Sequence, residues 1–141
     1  MIELVVVIGI LAVLFAIVLV AINPGRQFRQ ANDTKRHSDV NAILNAVSQF
    51  AADNKGDLPA GVNTTLKDIS NATDQADICK LLVPKYISAL PFDPDATTAD
   101  CGEGKTVDYN SGYKIVADAN GRVTVSAPNT EEESVDISVT R

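Results

Sequence analysis

MIELVVVIGILAVLFAIVLVAINPG, residues 1–25, decides how the rest of the chain is read. Glu3 is its one charged side chain, and Leu4–Ile22 runs on without another. As a helix, that run is about 28 Å long at roughly 1.5 Å per residue, close to the roughly 30 Å hydrocarbon core of a bilayer. A soluble core helix of this length carries a polar face, and this one has none. A signal-peptide core is shorter, follows a basic start and ends at a small-residue cleavage site. The stretch has none of these features, so it reads as a membrane-length helix.

The helical pattern resumes beyond Asn23-Pro24-Gly25. Proline removes a backbone hydrogen bond and glycine loosens the turn, so Pro24 and Gly25 mark a helix break. The break is either a simple kink or a stretch that melts under load. From Arg26 to Asn54 the apolar residues Val40, Ile43, Leu44, Val47, Phe50 and Ala51 recur at the spacing of one buried helix face. Asp39, Asn41, Asn45 and Gln49 occupy the other side. Gly56 and Pro59 then end the helix.

Ala60–Asp74 is rich in Thr, Asn, Asp and Gly and reads mostly as loop. Asp77–Leu82 reads as a short helix before Pro84. Ile87–Pro94 reads as a proline-stiffened extended segment. The last third alternates. Tyr113, Ile115 and Ala117 share one strand face, as do Val123, Val125 and Ala127. Asn120-Gly121 between them predicts a two-residue hairpin turn with positive φ at both positions. Val135, Ile137 and Val139 predict a further strand. A meander this small needs an apolar partner, which the amphipathic helix supplies. The expected fold is therefore α+β: a long N-terminal helix, apolar then amphipathic, on a three- or four-stranded antiparallel sheet. The expected divisions are an apolar membrane helix over 1–25, an amphipathic helix over 26–55 and a globular domain over 56–141.

Of 141 residues, 12 are Lys or Arg and 18 are Asp or Glu, giving a net charge of −6. Residues 26–55 carry +2 and residues 56–141 carry −7. The acidic half lacks the basic, aromatic-lined surface of a nucleic-acid platform. Cys79 and Cys101 have no metal-type partners nearby in sequence. They are either two buried thiols or one disulfide, and a membrane anchor ahead of them favours the disulfide in an oxidising compartment. The basic residues Arg26, Arg29, Lys35 and Arg36 pull the other way, because positive charge favours the cytoplasmic side. A short basic leader, since removed, reconciles the two.

Ile2–Leu11, Asn23-Pro24, the runs Gln27–Asp33 and Lys35–Asp39, the helix end Ala52–Pro59 and Leu90–Pro94 together resemble the type IV pilins and the secretion pseudopilins. The likeness is specific over residues 1–59 and looser beyond. It implies a membrane-held precursor whose leader is cut by a prepilin peptidase, which also methylates the new N-terminus. An assembly platform then draws the subunits into a helical filament of identical copies. In the family about four residues precede the glutamate, whereas here Met1 and Ile2 alone precede Glu3. The resemblance implies a major pilin serving adhesion, twitching motility or DNA uptake. It would wait in the bacterial inner membrane and then form an extracellular filament. The alternatives are a pseudopilin or minor pilin of a secretion or competence machine, and, in a different class, a monomeric anchored binding domain.

A carboxylate at membrane depth costs roughly 2.5–3.5 kcal/mol on insertion scales, so Glu3 points to function. In a filament it would need a cation, and the N-terminal amine of a neighbouring subunit is the expected partner. That makes Glu3 and Met1 the expected assembly residues. Asp93, Asp95, Asp100, Glu103 and Asp108 cluster in one loop region as weak Ca²⁺ candidates; their spacing is not that of an EF-hand. No other cofactor is expected. His37 stands without a second His or Cys, and no nucleophile or phosphate-loop motif is present, so no enzymatic activity is expected. Asn63-Thr64-Thr65 and Asn71-Ala72-Thr73 fit the N-x-T glycosylation pattern, which three residues often match by chance.

Overall fold

The computed structural model describes residues 1–96, 101 and 108–141. Two helices lead: α1, Ile2–Ala21, and α2, Pro24–Asp53. Next come β1, Lys67–Ser70, and a single helical turn, α3, Cys79–Leu82. The strands β2, Asn110–Ala117, β3, Val123–Ala127, and β4, Ile137–Thr140, complete the chain. The strands form one antiparallel sheet in the order β1-β2-β3-β4. The fold is α+β and consistent with the pilin fold.

The break between α1 and α2 falls one step earlier than the proline. Ile22 and Asn23 are extended, and the Asn23 side chain accepts a hydrogen bond from the Arg26 amide at 3.2 Å. Pro24 is the first residue of α2, where a missing N–H costs nothing because that donor has no helical partner anyway. Gly25 is helical. The interruption is therefore an N-cap, with proline starting the second helix rather than kinking the first.

The face of α2 marked by Val40, Ile43, Leu44 and Val47 is fully buried, joined by Ala46. It packs on β3 and β4. The sheet answers with Ile69, Tyr113, Ile115, Val125 and Ile137, and α3 adds Leu82. Each such aliphatic side chain contributes about 1.5–3 kcal/mol when taken fully out of water. The helix ends with Lys55 at φ 59° and the Gly56 amide bonded to the Ala51 carbonyl at 2.8 Å. Lys55, not Gly56, is thus the first residue past the cap to turn left-handed.

Three expectations are corrected. The segment read as loop contains β1, which pairs with β2 across a bulge between Asp68 and Ser70. Gln75 and Ala76 close its outer edge by bonding the Asp68 amide and carbonyl, at 2.7 and 3.0 Å. The β2–β3 turn is longer than two residues, because Asp118 bonds across to Arg122 and only Gly121 has positive φ. The Asp118 carboxylate accepts from the Asn120 and Arg122 amides, which favours a wider turn followed by one left-handed glycine. Finally, β4 begins at Ile137, and Val135 is 73% exposed outside it.

Cys79 and Cys101 are joined in a disulfide, which decides between the two readings of the pair.

Candidate functional site

Twenty residues of α1 are all exposed, with a mean hydropathy of 3.4 over the most apolar 18-residue window. By length and composition α1 is able to cross a membrane. Aliphatic side chains surround its axis, so every direction is equally apolar. Gly9 leaves a shallow dent between Val6, Ile10 and Val13. Glu3 lies at the far end, its carboxylate 3.2 Å from the Met1 amine nitrogen. The two residues expected to act in assembly are thus together at one tip of the molecule.

Beyond the break, Pro24–Ala31 of α2 are also exposed, although Arg26 and Arg29 reach Glu132 of the globular part. Phe28 is 72% exposed there, between Arg26 and Arg29. Burial of α2 starts at Asp33 and Arg36, two charged residues on the same helical stripe as Val40, Ile43 and Leu44.

Arg36 is completely buried, and each of its five N–H groups has an acceptor. Nε donates to Asp93 at 2.8 Å, and Nη2 donates to Asp93 at 3.1 Å and to Asp95 at 2.8 Å. Nη1 donates to Asp33 at 2.8 Å and to Glu131 at 3.0 Å. The planar fork of a guanidinium suits this two-pronged grip on Asp93. Asp93 is the main reason the guanidinium is held above its ordinary pKa; burial opposes that, and Asp33 and Glu131 add to it.

Asp33 faces both ways. Burial pushes its carboxyl up, but bonds from the Glu132 and Glu131 amides and from Arg36 outweigh that and hold it below the usual carboxylate range. Those amides donate at 2.8 and 3.1 Å. The β3–β4 connection, residues 128–136, is thereby drawn onto α2. Asn32 bonds Glu131 at 2.7 Å, Arg29 bonds Glu132 at 2.6 Å, and His37 meets Glu133 at 2.8 Å.

On the other flank, Lys35 donates to the Phe92 carbonyl at 2.5 Å, and the Asp93 amide donates to the Ser111 carbonyl at 2.8 Å. Gly112, at φ 78°, is required here: a Cβ on it would sit 2.6 Å from the Asp93 Cβ. Tyr113, from the same strand, donates to Asp39 at 2.8 Å. Burial first, then that carboxylate, pushes its hydroxyl pKa up.

Three of the five calcium candidates, Asp93, Asp95 and Asp108, lie among the described residues. Asp93 and Asp95 turn to Arg36, and Asp108 accepts from Asn71 at 3.2 Å. Asp100 and Glu103 lie outside the described residues. Among the described residues no group of three or more His, Cys, Asp or Glu side chains is disposed to hold a metal ion. His37 serves as a partner of Glu133. The cluster around Arg36 went unread in the sequence, although one signal was there. Asp33 and Arg36 continue the stripe of Val40, Ile43 and Val47 at helical spacing, which places them on the buried side.

Comparison with family models, with curated proteins and with solved structures gives no match.

Proposed function

We propose that this chain is the structural subunit of a type IV pilus-like filament, polymerising through α1 and exposing residues 56–141 at the surface. The observation that carries this reading is the division of labour between the helices. The head closes its own core with α2 and the sheet, while α1 leaves twenty residues, all uncharged but Glu3, uncovered. Such a helix needs a nonpolar surround, and lipid before assembly and identical helices after it both supply one. Glu3 then has a role in register. In a helix bundle its carboxylate pairs with the amine of a neighbouring copy, and a misaligned subunit buries it unpaired at roughly 3–5 kcal/mol.

Cryo-electron microscopy of surface filaments tests the proposal directly. The expected map repeats this chain helically with α1 in the filament core and Glu3 against a neighbour's N-terminus. Glu3→Val should leave the head folded and reduce filament number severalfold. A membrane-held chain that enters no filament would overturn the reading in favour of an anchored monomeric domain.

A further inference from the structure

The attachment of residues 128–136 to α2 is chemically unlike the rest of the head. The sheet and α2 meet through buried aliphatic side chains. By contrast, residues 131–136 are all exposed, Val135 included, so between the half-buried Pro128 and Ile137 this connection buries no aliphatic side chain. Its ties to α2 are charged or polar. Glu131 meets Arg36 and Asn32, Glu132 meets Arg29 and, at 3.4 Å, Arg26, and Glu133 meets His37. The Glu131 and Glu132 amides hang on the Asp33 carboxylate.

We propose that residues 128–136 are an acid-releasable strap, which closes over Arg36 while the carboxylates are ionised and lifts off when they are protonated, with the sheet still folded. This does not depend on filament formation. The groups facing the strap and its latch come from four places. They are Arg26, Arg29, Asp33, Arg36, His37 and Asp39 of α2; Glu131, Glu132 and Glu133 of the strap; Asp93 and Asp95 of the 91–96 segment; and Tyr113 of β2.

The direction follows from these groups. A carboxyl held below its ordinary range when folded contributes stability that is complete above its unfolded pKa and is lost as the pH falls through the folded value. Asp33 is such a group, so its grip on the two amides is present above the ordinary carboxylate range and is lost as the pH falls below it. Release comes as the pH falls through the lowered range of the Asp33 carboxyl, whose bonds to the Glu131 and Glu132 amides are then lost. The Arg36–Asp93 pair is tied to β2 through the Asp93 amide, which donates to the Ser111 carbonyl, so opening the strap leaves it in place.

The test uses the full chain in detergent micelles and reads amide hydrogen-exchange protection by NMR, corrected for the intrinsic pH dependence. Between about pH 6 and about pH 3, protection of the Glu131 and Glu132 amides should fall at least tenfold, while the Val125 and Val139 amides keep theirs. The double variant Glu132→Gln, Glu133→Gln alters only exposed or half-exposed side chains. At neutral pH it should lower protection of the same two amides about fivefold, since two exposed charge contacts are weakened. Protection that survives the carboxylate range, or is lost together with that of Val125, overturns the proposal. So does a double variant that behaves like the parent chain.

Discussion

Arg36 is the residue on which the head turns. Its five donors tie α2 to the 91–96 segment and the β3–β4 connection, through partners 57 and 95 residues away in sequence. Arg36→Met should lower stability by about 3–5 kcal/mol, because Asp93 stays buried without its cation. The loss would be read as a fall in the denaturation midpoint at unchanged slope. Arg36→Lys should recover little of it, since an ammonium cannot reproduce the fork. The sequence hid this site because the residue types mislead. Lys35-Arg36-His37-Ser38-Asp39 looks like a solvated helix face, and Glu131-Glu132-Glu133 looks like a solvated turn. The stripe from Asp33 through Arg36 to Val40 carries the contrary signal, yet periodicity cannot say which distant carboxylates answer it. Gly112 is the same kind of case. Its need for positive φ is local, but the contact that forbids a side chain comes from Asp93.

At the scale of elements, α1 and the buried face of α2 were legible because long periodic segments integrate many weak signals. The strands β2 and β3 were legible through strict alternation. β1 was not: four residues with a single aliphatic, Ile69, give too short a pattern, and pairing with β2 makes them a strand. Val135 shows the opposite failure, an alternating residue that pairing leaves outside the sheet. The break between α1 and α2 rests on Asn23, whose side chain holds the Arg26 amide. Asn23→Ala should cost about 1 kcal/mol of local helix stability, seen as roughly fivefold faster hydrogen exchange at Arg26. Exchange at Val47, deep in the same helix, should not change. Equal acceleration at both would mean that α2 opens as one unit from end to end.

For the whole molecule, stability resides in the head. The Cys79–Cys101 bridge spans a sequence separation of 22 residues. Its reduction should cost about 3 kcal/mol on the chain-entropy account. Denaturation midpoints with and without reductant measure this, and equal midpoints would show that the bridge carries no stability. Net charge was legible at this scale, and its distribution was informative: the −7 of residues 56–141 lies largely outside the buried cluster, where it keeps the head soluble. The closed core of the head does not involve α1 at all, so moving α1 from one nonpolar surround to another asks nothing of the sheet.

The uniform surface of α1 has one more consequence, for its azimuth. A helix that is apolar in every direction can spin about its own axis in lipid without changing the area it shows to the hydrocarbon. The helices are joined through the extended residues Ile22 and Asn23, and no side chain of α1 is buried against the head. Beside the dent at Gly9, Glu3 is then the one charged mark that distinguishes a direction around the axis. In the proposed filament, that single carboxylate would be the index by which a neighbour tells which way this helix is turned.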